Sequence, residues 1–152
     1  MSEIEIRRAH FQAPDVQALV ADALGDLSQR YGGTGDDTPI GDDDFEPPSG
    51  LFFAAYLGDV LVGCAGWRGH GGDAELKRMY TSPAVRGRGV ARRLLAAVEE
   101  SARADGRKRV ILETGDRQPE AIALYTSAGY ERIEDFGYYK GHAGVLSYAR
   151  TL

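Results

Sequence analysis

The chain is poor in the residues that staple a fold or hold a metal. Its 152 residues include one cysteine, Cys64, three histidines, one tryptophan and two methionines. A lone cysteine closes no internal disulfide, which excludes the disulfide-framework classes and suits a reducing compartment. His10, His70 and His142 stand far apart and make no ligand spacing with Cys64, so no metal is expected. No apolar run approaches the roughly 18 residues of a membrane span. The opening Met1-Ser2-Glu3-Ile4-Glu5 also lacks the basic and apolar regions of a signal peptide. The expectation is a cytoplasmic protein without a membrane partner.

What is abundant is glycine, 20 residues, and acid, 23 Asp and Glu against 18 Lys and Arg for a net charge of -5. With 43% hydrophobic and 27% charged residues the composition is that of a globular protein, and its length predicts one domain over residues 1–152. The charge is divided along the chain. Eleven acids face three arginines in the first fifty residues, whereas eight bases face three acids from Arg86 to Arg109. A short positive segment in an acidic protein points to a local anionic ligand. Nucleic acid, which needs a broader basic surface, is not expected as a partner.

Periodicity divides the chain into alternating elements. Ile4 and Ile6 alternate with charges as in a half-buried strand. Pro14-Asp15 opens a helix with Val16, Leu19, Val20, Ala23, Leu24 and Leu27 on one stripe, ending before Gly32-Gly33. Gly32 to Gly50 reads as a long acidic loop, functional or mobile. Leu51 to Tyr56, Val60 to Arg68 and Ala74 to Thr81 predict an antiparallel meander. Val90 to Ala102 has helical spacing, Val110-Ile111-Leu112 reads as a strand, and Pro119 to Ala128 as a helix stopped by Gly129. Tyr130 to Ile133 and Val145 to Ala149 are weaker strands.

The segment Ala84-Val85-Arg86-Gly87-Arg88-Gly89-Val90-Ala91 lies between strand and helix. Gly87 and Gly89 let backbone N–H groups approach an anion, and the helix start adds about half a positive charge. This favours a diphosphate. It is not a P-loop, having no Lys-Ser/Thr pair in place, and Arg92 stands where a dinucleotide fingerprint needs its third glycine.

The same segment resembles motif A of the Gcn5-related N-acetyltransferase (GNAT) superfamily, Q/R-x-x-G-x-G/A, with Arg86, Gly89 and Ala91 in register. Gln118-Pro119-Glu120-Ala121-Ile122-Ala123-Leu124-Tyr125 with Gly129-Tyr130 is similar to the family's motif B, and Glu75 to Thr81 to its fourth strand. The resemblance implies an α/β fold whose mixed central sheet splays between strands four and five. It implies acetyl-CoA (coenzyme A) as donor, with backbone groups of Met79 and Thr81 pairing with the pantetheine amides. The N–H groups of Arg86, Gly87, Arg88, Gly89, Val90 and Ala91 would hold the diphosphate, and Gln118 would lie near the cofactor.

Acyl transfer to an amine needs a proton acceptor, because an alkylammonium has a pKa of roughly 10.4, and a donor for the departing thiolate. By resemblance Tyr125 is the general acid; Glu75, on the fourth strand, is the candidate base. The expected acceptor is a primary amine of a small molecule or peptide, attacked directly in a ternary complex. Another acyl-CoA, a hydroxyl acceptor and a non-catalytic acyl-CoA sensor are the rival readings. The acidic residues Asp36, Asp37, Asp42, Asp43, Asp44 and Glu46 could attract a cation, and Trp67, His70, Tyr138 and Tyr139 could line the acceptor pocket. Cys64 reads as a small buried hydrophobe, and exposed terminal strands are compatible with a homodimer.

Overall fold

The computed structural model describes residues 3–152. Its strands are β1 (Ile4–Arg8), β2 (Gly50–Leu57), β3 (Val60–His70), β4 (Asp73–Thr81), β5 (Arg109–Gly115), β6 (Glu131–Arg132) and β7 (Val145–Thr151). Its helices are α1 (Pro14–Tyr31), α2 (Val90–Ala104) and α3 (Pro119–Ser127), with a short 3-10 turn at Pro83–Val85. The seven strands form one sheet in the order β1-β2-β3-β4-β5-β7-β6. Every neighbouring pair is antiparallel except β4 and β5, which are parallel. That parallel pair needs a crossover, and α2 supplies it. The result is the mixed α/β sheet that the resemblance implies. No helix among the described residues is long and apolar enough to cross a membrane.

The alternation of side chains across the sheet sorts the core into two layers. Phe53, Ala65 and Leu76 pack against Leu94, Leu95 and Val98 of α2 on one face. Phe52 and Cys64 face the other way, against Val16, Leu19 and Val20 of α1. Truncating a fully buried leucine such as Leu94 would cost about 2–5 kcal/mol. Phe45 closes the α1 layer edge-on to Phe11, with ring centroids 4.9 Å apart, and is 1% exposed. The segment from residue 32 to 49 is therefore anchored to the core through Phe45 rather than lying free as a surface loop.

Two features shape the site. β4 pairs with β5 only through Ala74 with Val110 and Glu75 with Ile111, after which the strands share no ladder pair. β4 keeps its ladder with β3 as far as Thr81, so its other edge faces an opening. Within β4 the register with β3 shifts between Cys64 and Gly66, and Arg78 has φ of 58°. This is a β-bulge: one extra residue enters β4 and the alternation of side chains is interrupted.

Candidate active site

The opening between β4 and β5 continues into two cavities that meet inside the molecule. A groove of about 610 Å³ runs along Met79 to Thr81, the Arg86–Arg92 segment and one face of α3. A second cavity of about 370 Å³ lies between the end of α1, β4, β5 and the 139–145 segment. Met79, Gln118 and Tyr125 line both, so they stand at the junction.

The groove ends on the N-terminus of α2. α1 and α3 each carry an acid in the first turn, Asp15 and Glu120, whereas α2 has none and no side chain caps it. Gly87 and Gly89 adopt φ of 83° and 78°, the left-handed region that glycine enters without strain. The N–H groups of Arg86 and Arg88 close the turn on Pro83 O and Val85 O at 3.4 and 3.2 Å. Those of Gly87, Gly89, Val90, Ala91 and Arg92 have no such partner among the described residues. These donors, with the helix dipole behind them, suit a diphosphate. Of the residues expected to touch cofactor, Met79, Thr81, Arg86, Gly87, Gly89, Val90, Ala91 and Gln118 line the groove. Arg88 is exposed and does not line it, and Thr81 O already accepts a hydrogen bond from Arg86 Nε at 3.1 Å.

Tyr125 is 7% exposed, and burial raises its phenol above the ordinary range. Its ring packs against Tyr130 at a centroid distance of 5.7 Å, and its hydroxyl has no hydrogen-bond partner among the described residues. The phenol therefore stays protonated at the meeting point of the two cavities.

In the second cavity Asp36 ties three segments together. Tyr139 donates its hydroxyl to Asp36 Oδ1 at 2.7 Å, Thr38 donates its hydroxyl at 2.6 Å, Lys77 Nζ lies 3.4 Å from Oδ2, and Arg78 Nη1 also bonds to Oδ2. Lys77 and Arg78 are successive residues, yet both reach one carboxylate because the bulge at Arg78 breaks the alternation. Burial alone would raise the Asp36 carboxyl, but Lys77, the Thr38 hydroxyl and Arg78 outweigh it and hold it well below the usual carboxylate range. Burial and the bond to Asp36 push the Tyr139 phenol up to about 12.

Glu113, on β5, has the opposite balance. Burial raises its carboxyl, the Tyr139 N–H and Lys77 pull it down, and the charges of Glu75 and Asp36 raise it again, leaving it above the ordinary value. Oε2 accepts the Tyr139 N–H at 3.0 Å, while Oε1 is buried with no partner. Gly137 covers this carboxylate so closely that an added Cβ would stand 2.6 Å from Oε1.

Glu75, the expected base, lines neither cavity. Its carboxylate is buried, and Oε1 accepts from Arg68 Nε at 3.0 Å. Among the four candidate pocket residues, Tyr139 lines the cavity. Trp67 is buried and donates to Ser101, His70 packs on Phe136, and Tyr138 points outward, 47% exposed. Three of the six acids of this segment lie beside a basic side chain: Asp36 as described, Asp44 at Arg68, and Glu46 at His10. Glu113, Arg78, Tyr31 and His142 line the cavity without having been singled out from the sequence. A glutamate after the apolar run Val110-Ile111-Leu112 was the available signal for Glu113; nothing local marked Arg78.

Known proteins agree with this architecture. A model of the acetyltransferase (GNAT) family matches residues 17–130. An IAA acetyltransferase of Azospirillum brasilense is 39% identical over 94 residues, 60% of this chain and 61% of that protein, so the chain spans about three fifths of that relative's length. A Klebsiella pneumoniae structure assigned as an acyl-CoA N-acyltransferase superposes with TM-score 0.81 at 28% identity, covering 98% of this chain and 97% of the other. PaiA N-acetyltransferase of Thermoplasma acidophilum, solved with coenzyme A, shares the fold with TM-score 0.75 at 16% identity, covering 99% of each chain. With its opened sheet, its uncapped α2 start and a family match over most of its length, the chain belongs to the acetyltransferase (GNAT) family.

Proposed function

We propose that the chain is an acetyl-CoA-dependent N-acetyltransferase that acts on a primary amine by direct attack in a ternary complex. The observation that carries this reading is the junction: an anion-binding groove and a polar cavity meet at Tyr125, with Gln118 and Met79 beside it. The donors of Gly87, Gly89, Val90 and Ala91 fit the diphosphate of coenzyme A, and the free edge of β4 at Met79 fits its amide-bearing arm. Bound there, acetyl-CoA would supply the acetyl group as an activated thioester.

The chain's own residues handle the protons. Glu113, which lines the cavity, accepts one from the acceptor ammonium, directly or through water, and frees the nitrogen lone pair. As the C–N bond forms and the C–S bond breaks, Tyr125 donates its phenolic proton to the sulfur. The ammonium gives up two protons in all, the first to Glu113 before attack and the second to the Tyr125 phenolate as the amide forms, so that one proton ends on the thiol and Glu113 releases the other to solvent. Glu113 takes the role first considered for Glu75 because it lines the cavity and its raised carboxyl is a better base. Glu75 contributes by like-charge repulsion on Glu113. Cys64 offers no covalent route: it lines neither cavity and burial pushes its thiol up to about 12.

The test is acetyl-CoA consumption with a panel of amines, measured across pH for the parent and Glu113→Gln. The parent should lose activity on the acid side through a limb above the ordinary carboxylate value, about 4.3. Glu113→Gln should lower kcat by about 10²-fold and abolish that limb. Glu75→Gln should only move the limb to lower pH, because it removes a repelling charge. An unchanged profile in Glu113→Gln refutes its role; saturable acetyl-CoA binding with no turnover of any amine refutes the transferase reading in favour of a sensor.

A further inference from the structure

Two side-chain atoms among the described residues are buried without a hydrogen-bond partner, Arg78 Nε and Glu113 Oε1. With Oε1 unpartnered, the Glu113 carboxylate keeps one hydrogen bond, from the Tyr139 N–H to Oε2 at 3.0 Å. A base held at a single point is only as well placed as the residue that holds it. Tyr139 belongs to the stretch between β6 and β7, which has neither helix nor strand. Apart from Tyr139, residues 137–143 bond locally among the described residues: Lys140 N–H to Gly137 O, His142 N–H to Tyr139 O and Val145 N–H to His142 O.

The Tyr139 hydroxyl ties this stretch to another segment of the cavity lining. It donates to Asp36 Oδ1 at 2.7 Å and accepts the Asp37 N–H at 2.7 Å. Asp36 is itself fastened to β4 by Lys77 and Arg78. A chain of contacts therefore runs from β4 through Asp36 and the Tyr139 side chain to the Tyr139 N–H and Glu113 on β5. It links the two strands beyond Glu75 with Ile111, where their own ladder ends. The hydroxyl is neutral, because a phenol pushed up to about 12 keeps its proton at ordinary assay pH.

Resting on the acetyl-transfer reading and the Glu113 role above, we infer that Tyr139 is a positioning residue: its hydroxyl, anchored on Asp36 and Asp37, holds its backbone N–H against Glu113 and so sets where the base stands. Tyr139 lines the acceptor cavity and not the coenzyme groove. Tyr139→Phe removes the hydroxyl and changes no charge. Lys77, which lowers the Glu113 carboxyl, and Glu75 and Asp36, which raise it, all remain. Arg78 stays at Asp36, His142 stays beside the Tyr139 ring at 5.4 Å, and Ser147, opposite Glu113 on β7, is uncharged. What changes is the hold on the N–H donor, which lowers the Glu113 carboxyl while in place. Loosened, it lets that carboxyl rise.

The experiment is a double-mutant cycle of Tyr139→Phe and Glu113→Gln, read across pH by acetyl-CoA consumption with an amine that the parent uses. In the parent background Tyr139→Phe should lower kcat by about tenfold, the size of a lost hydrogen bond, and raise KM for the amine. The acid limb should move to higher pH, because activity needs Glu113 unprotonated. In the Glu113→Gln background, where no base is left to place, the same change should lower kcat by less than about twofold. Coenzyme A affinity, by calorimetric titration, should equal the parent's in both. Gly137→Ala probes the same bond from the other side and stands in if the phenylalanine variant does not fold: its Cβ would meet Glu113 Cδ and Oε1 at 2.6 Å, and the limb should again move to higher pH. An equal loss of kcat in both backgrounds with the limb unmoved makes Tyr139 a structural residue and overturns the inference, leaving acetyl transfer and the Glu113 role standing. A limb that survives Glu113→Gln overturns the Glu113 role and the inference together. Absence of turnover with every amine, in protein that binds acetyl-CoA, overturns all three.

Discussion

Asp36→Asn removes one charge from a site where two cations depend on it. The side chains of Asp36, Lys77 and Arg78 are 13%, 6% and 9% exposed, so the loss strands two buried cations. Breaking a buried pair by removing one partner costs about 3–5 kcal/mol. Asparagine keeps an oxygen for the Thr38 N–H, and Lys77 keeps Thr38 Oγ1 at 3.0 Å, which puts the expectation at the low end, about 3 kcal/mol. For a chain of this size that is a fall in Tm of about 6–12 °C, measured by calorimetry or by circular dichroism. The pH dependence is a second check. The folded carboxyl of Asp36 lies below its unfolded value, so its contribution is fully present above the unfolded pKa, about 3.9, and is lost as pH falls through the folded one. The difference between parent and variant should stay constant from pH 8 to pH 5 and shrink only in stronger acid. A Tm change under about 2 °C, or a difference that vanishes between pH 6 and 5, would mean that Asp36 is solvated and the triad contributes little.

Two further substitutions address the junction and the groove. Tyr125→Phe should lower kcat by about 10²-fold while coenzyme A affinity and Tm stay near parental, since its hydroxyl has no hydrogen-bond partner among the described residues; equal turnover across the pH range would take Tyr125 out of the chemistry. Gly89→Ala meets no atom within 4 Å, so its effect is confined to the backbone, where φ of 78° costs an L-residue about 1–2 kcal/mol. Calorimetric titration should show coenzyme A binding weakened by about tenfold, and unchanged affinity would show that this conformation does not build the anion site.

Much of the fold was readable because it rests on local periodicity. The apolar stripes of α1 and α2 and the meander of β2 to β4 appear close to their expected bounds. The left-handed backbone at Gly87 and Gly89 was also legible, since it rests on a freedom that glycine itself carries. The acceptor side was less so. Glu75 alternates with Leu76 on the expected strand, but Arg68 on the neighbouring strand claims its carboxylate. Which strand supplies the cavity's carboxylate depends on where β4 and β5 part, and that comes from a register between residues 36 positions apart.

The amino-acid order by itself determined the alternation of strands and helices, the chemistry of the α2 start and the placement of a tyrosine on α3. Each follows from contacts within a few residues. Tertiary structure decided which charges are spent on one another and which atoms are left without a partner. Asp36, Lys77, Arg78, Tyr139 and Glu113 come from four separate segments, and their burial, their pairing and the two unpartnered atoms exist only once those segments close around one space. The net charge of -5 read from the sequence is silent on this, because a carboxylate's chemistry is set by what desolvates it and what stands beside it.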